Sequence, residues 1–116
     1  SEAYLDIHFT CKTEHAADWL KALTLLANNQ RGASFQDALD PISEQAADAI
    51  DDLWPKLIDG SDGFEVFAAT VKGQSCYLQL MTGLGQIETL STHLSTWLTL
   101  CPISDLSVAW QLDGEG

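Results

Sequence analysis

A chain of 116 residues, 46% of them hydrophobic and four of them tryptophan, is long enough to bury one core, which excludes disorder and a miniature held together by disulfides or metal. Its formal net charge of -12 repels phosphate backbones and anionic lipid heads, so nucleic acid and membrane are excluded as partners, and a basic protein or a cationic ligand is favoured. The odd set Cys11, Cys76 and Cys101 lacks C-x-x-C spacing and lies in apolar stretches, as suits reduced thiols of a cytoplasmic protein; no stretch reaches membrane-spanning length, and Ser1 to Tyr4 shows no signal-peptide pattern.

Residues 3–12 alternate, with Leu5, Ile7, Phe9 and Cys11 on one side and Tyr4, Asp6, His8 and Thr10 on the other, which predicts a half-buried strand. Thr13 is placed to cap a helix over 14–28, whose apolar stripe is Ala16, Trp19, Leu20, Leu23, Leu26 and Ala27. The stretch 33–42 shows no usable period and reads as loop. Ser43 then caps a second helix with a stripe of Ala46, Ala47, Ile50, Leu53, Trp54 and Leu57, in which Pro55 predicts a kink or a break near Leu53.

Asp59 to Gly63 has turn composition. Beyond it, Phe64–Lys72 and Ser75–Thr82 are joined by Gly73-Gln74 and read as a β-hairpin. A third helix follows Gly85 with Ile87, Leu90, Leu94, Trp97 and Leu98 on one face, stopped by Pro102. The last strand, Leu106–Asp113, alternates Val108, Trp110 and Leu112 against Ser107, Ala109 and Gln111. Each of Trp19, Trp54, Trp97 and Trp110 falls on the apolar side of its element, the place of a core anchor rather than of an aromatic cage.

With the second helix set aside, the order strand, helix, strand, strand, helix, strand resembles the ferredoxin-like βαββαβ arrangement, in which an antiparallel sheet carries both helices on one face. The expected fold is therefore a single α+β domain over 1–116, a two-layer sandwich with an extra acidic helix inserted after the first. Topology of this kind implies no activity.

Few residues assemble into chemistry. Asp6 and His8 share a strand face and can couple as acid and base, but no nucleophile is placed beside them, so no catalytic residue is assigned. His15 and Asp18 are spaced for a local pair. Three histidines without repeated spacing give no zinc site, the segment from Asp59 departs from the EF-hand pattern at its sixth and twelfth positions, and Thr82-Gly83-Leu84-Gly85 lacks the lysine of a phosphate loop; neither metal nor cofactor is implied. The open face of the first strand and hairpin, with Tyr4, Asp6, His8, Tyr77 and Gln79, is the candidate ligand surface for a cationic or aromatic small molecule. The outer face of the third helix is polar and nearly uncharged, through Thr89, Thr92, His93, Ser95, Thr96 and Thr99, so homodimerisation is expected there or on the open sheet face.

The densest signal is acidic. Between Asp37 and Glu65 nine acids stand against one base, Lys56, and Glu44, Asp48 and Asp52 follow at four-residue steps, where like charges cost a few tenths of a kcal/mol each. Stability does not ask for such a ridge. In composition the chain resembles small acidic inhibitors, of which immunity proteins are one kind, and the expectation is a non-enzymatic protein that docks a basic partner through the 40–62 region with Asp40, Glu44, Asp48, Asp51 and Asp52. The alternative is a small-molecule-binding or dimerising module built on the open sheet face or on a pocket between the sheet and the second helix.

Overall fold

The computed structural model describes residues 2–58 and 63–112. The turn expected over Asp59–Gly63 falls, up to Asp62, outside the described residues, as does the end of the last strand at Asp113.

Four strands, β1 (Glu2–Cys11), β2 (Glu65–Lys72), β3 (Ser75–Gly83) and β4 (Ile103–Leu112), form one antiparallel sheet in the order β2-β3-β1-β4. Helices α1 (Ala16–Ala27) and α4 (Ile87–Leu98) make the two crossovers, each entered through a 3-10 turn, and α2 (Ala33–Leu39) and α3 (Glu44–Ile58) are inserted between α1 and β2. This is the ferredoxin-like α+β fold with a two-helix insertion. The period-2 alternation of β1 sends Ala3, Leu5, Ile7, Phe9 and Cys11 into the core, where they meet Trp19, Leu23, Ile50, Leu90 and Leu94 from the helices. Burying each of the larger of these side chains contributes about 1.5–3 kcal/mol, and the opposite face of the sheet is left open.

Several local expectations need correction. Residues 33–39 are helical rather than loop, because Phe35, Ala38 and Leu39 share one face and bury it. Thr13 lies inside the 3-10 turn and makes no capping bond. Helix α3 runs unbroken through Pro55. Asp51 and Pro55 are both exposed, so water can take the Asp51 carbonyl that Pro55, lacking an N–H, leaves unbonded. Trp110 is no core anchor: it sits on the edge strand β4 and is 46% exposed. The strand itself begins at Ile103, three residues earlier than its alternation predicts.

Ser43 does cap α3, accepting the Ala46 N–H at 3.1 Å, and its hydroxyl also donates to the Leu100 carbonyl at 3.0 Å. Trp97 Nε1 donates to the Ala46 carbonyl at 2.9 Å, and Gln36 Nε2 to that of Ala47 at 2.9 Å. The inserted helices are thus bonded to α4 and to each other and lie against the body of the domain.

Candidate functional site

The sheet register brings one set of polar side chains to the middle of the open face. Asp6 stands opposite Gln79 of β3 and Ala109 of β4, with Tyr77 and Gln111 on its diagonals. Its Oδ1 accepts from Tyr77 Oη at 2.7 Å and from Gln79 Nε2 at 3.0 Å, while Oδ2 accepts from Gln111 Nε2 at 3.1 Å. All three donors are neutral. A carboxylate has room for about four such bonds, which leaves one acceptor position on Oδ2.

Aromatic rings flank this carboxylate along the strand. His8 lies over Tyr77 with centroids 4.5 Å apart, and Tyr4 meets Phe67 edge-on at 5.2 Å. Phe67 is 52% exposed at the point where a register shift between Val66 and Ala68 interrupts β2. Between Tyr4, Phe67, Gln79, Gln111 and Leu112 lies an open groove of about 340 Å³, within the size range of small-ligand sites. Burial, then the hydrogen bond to Asp6 and the charge of that group, push the Tyr77 hydroxyl up to about 12. Asp6 is thereby held by a phenol that keeps its proton through the physiological range.

The structure therefore gathers Tyr4, Asp6, His8, Tyr77 and Gln79 on one surface and adds two residues that sequence reasoning passed over. Gln111 is the outward member of an alternating strand, a signal that becomes useful only once β4 is known to pair with β1. Phe67 is an aromatic residue in a strand and reads as inward until the bulge is seen.

Between the sheet and the inserted helices, the other place expected for a ligand, the described residues leave little room. The apolar void there, among Phe9, Trp19, Phe35, Ile50, Leu80 and Leu94, measures about 30 Å³, room for one or two waters. The aromatic cluster nearby is filled by the chain itself. The Arg31 guanidinium lies 4.0 Å from the Phe64 ring centroid and donates to the Phe64 carbonyl at 2.9 Å, while Trp54 Nε1 donates to the Arg31 carbonyl at 2.8 Å. Burial lowers the Arg31 pKa from its ordinary value, and Arg31 ties the α1–α2 connection to α3 through its carbonyl and to Phe64, just before β2, through its guanidinium.

The acidic residues do not converge. Asp40, Glu44, Asp48, Asp51 and Asp52 are all exposed along α3 and its approach, and Asp52 lines a groove of about 260 Å³ between α3 and α4 that also involves Lys56, His93 and Thr96. His93 and Thr96, counted with a face expected to await a second copy, thus border α3 of their own chain. The Nδ1 atom of His15 is buried with no hydrogen-bond partner, so the expected pairing with Asp18 does not satisfy it.

No family model and no curated protein matches the chain. Among solved structures, one from Deinococcus radiodurans, described as a "putative antibiotic biosynthesis monooxygenase", is similar over 98% of this chain and 94% of that one, at 15% identity and a TM-score of 0.49. Likeness at that level concerns the fold. The name is nevertheless an enzyme's and not an inhibitor's, and with it the expected role of a non-enzymatic inhibitor docking through the acidic helix is corrected: neither the inhibitor role nor the absence of enzymatic activity is retained.

Proposed function

We propose that the chain is a small-molecule-binding module whose open sheet face receives a ligand carrying both an amine and an aromatic ring. The observation that supports this is Asp6: a carboxylate at the centre of an uncovered sheet, held by three neutral donors, with an acceptor position to spare and no cation among its bonding partners. An ammonium group completes that set with a charge-assisted bond, and Tyr4 and Phe67 offer ring faces and edges to the aromatic portion. The charge of -12 draws such a ligand in and repels its carboxylate counterpart. The three free buried thiols support a cytoplasmic setting for the module.

The test is calorimetric titration with tyramine and phenethylamine beside carboxylate analogues of the same size. Amines are expected to bind and carboxylates not, with Asp6→Asn weakening the amine by about 1.5–3 kcal/mol, roughly ten- to hundredfold in Kd. Amine binding that survives Asp6→Asn, or carboxylates that bind equally well, would sink the idea.

A further inference from the structure

The two edges of the sheet are guarded unequally. Edge strand β2 carries Glu65 and Lys72, has a register shift between Val66 and Ala68, and is packed by α1, all devices that discourage a further strand. Edge strand β4 has its irregularity only at its start, where Asp105 takes φ 53° and the register shifts opposite His8 to Thr10. From Leu106 to Leu112 the sequence LSVAWQL holds no charge and no proline, and its pairing with β1 is regular from His8↔Ser107 to Ala3↔Leu112. Ser107, Ala109, Trp110, Gln111 and Leu112 are exposed, the last with Trp110 at 46%. In a chain with 17 acidic residues, seven uncharged residues in a row on an edge strand are a conspicuous gap.

We infer that this edge pairs with the same edge of a second copy, antiparallel about a two-fold axis near Ala109, to join two four-stranded sheets into one of eight. The strand is complementary to itself in that register. Val108 faces the partner's Trp110 and Leu106 the partner's Leu112 on the helix side, and Ser107 faces the partner's Gln111 on the open side, so apolar meets apolar and polar meets polar. Self-pairing also explains the absence of charge. Two chains of charge -12 repel one another, and the segment Leu106–Leu112, which lacks carboxylates, is where they can approach; a basic partner protein would call for acids at this edge instead. Strand pairing satisfies the outward N–H and C=O groups of β4 and covers Trp110. Both open faces then lie on the same side of the joined sheet, with the partner's Ser107 beside Gln111, the residue that holds Asp6 Oδ2.

Light scattering after size exclusion, with sedimentation over a concentration series, tests this. The expected result is a dimer whose affinity is strengthened by added salt, since screening removes repulsion between the two acidic bodies. Trp110→Glu and Ser107→Glu, both at exposed positions, are expected to give monomers with unchanged circular dichroism and melting. Phe67→Glu, on the open face, is expected to leave the dimer intact. A wild-type monomer at about 1 mM chain, beyond which a Kd has no force here, overturns the proposal, as does a dimer dissolved by Phe67→Glu or one unaffected by both β4 variants.

Discussion

Tyr77 shows how burial, with a hydrogen bond to Asp6, sets the chemistry of a side chain on an open sheet face. Because Tyr77 is pushed up to about 12 in the fold against about 10 in an unfolded chain, the native state holds the phenolic proton more tightly. The stability this gives is complete below about pH 10 and is lost as pH rises toward the folded value. The sequence contains two tyrosines, so ultraviolet titration of tyrosinate is expected to resolve Tyr77 as a late step near 12, and Asp6→Asn to bring that step down. A Tyr77 that titrates identically in wild type and Asp6→Asn would show that Asp6 does not hold the phenol. Tyr4, Asp6, His8, Tyr77 and Gln79 were legible as a surface because strand alternation assigns faces without knowledge of the fold. The bonds among them were not, since Asp6 and Gln111 are distant in sequence and meet only through the β1–β4 register.

At the level of elements, β1 and α4 follow from periodicity, because each carries enough apolar residues at one spacing to fix its type, and the hairpin follows from strand-forming composition on either side of Gly73-Gln74. Helix α2 was hidden for the opposite reason: seven residues with no side-chain cap offer only Phe35, Ala38 and Leu39 as a pattern, and packing against α1 and α3 makes the helix. Pro55 misleads in the other direction, since a local rule about helix interiors is relaxed where the freed carbonyl faces water. Ser43 combines a local and a distant role, closing the first turn of α3 and reaching across to Leu100. Ser43→Ala is expected to destabilise the protein by about 1–2 kcal/mol, at the upper part of the range for a cap, because the Leu100 carbonyl loses its donor too. Ser43→Asp, which preserves the cap but cannot donate to Leu100, is expected to recover part of that loss, and chemical denaturation of the three proteins measures both contributions.

For the molecule as a whole, the ferredoxin-like order was readable because six elements alternate in type along the chain, whereas the packing of the acidic insertion was not, since charge on one face of α3 says nothing about what its other face meets. The core that results encloses all three thiols. Cys11, Cys76 and Cys101 are buried, and burial pushes both Cys76 and Cys101 up to about 12, with Cys11 adding to the effect on Cys76. Because these thiols lie on β1, on β3 and just beyond α4, they report on the entire domain. All three are expected to be inert to Ellman's reagent in the native protein and to become reactive together, at the denaturant concentration where tryptophan fluorescence changes. Reaction of one thiol well before that transition would reveal a part of the domain that opens by itself.

The position of β1 carries one more consequence, which concerns how the sheet is completed. The first strand lies inside the sheet, bonded on one flank to β3 and on the other to the last strand, with Ala3 opposite Leu112. Of the four strands β1 comes first in sequence and β4 last, so their pairing must wait for the longest loop closure in the sheet. Through that interval Asp6 lacks the Gln111 bond and one flank of β1 has no strand beside it. Loop-closure entropy is largest for this last pairing, so completion of the sheet is a late event of folding, and the form in which β4 has not yet docked is the one most vulnerable to mispairing and proteolysis.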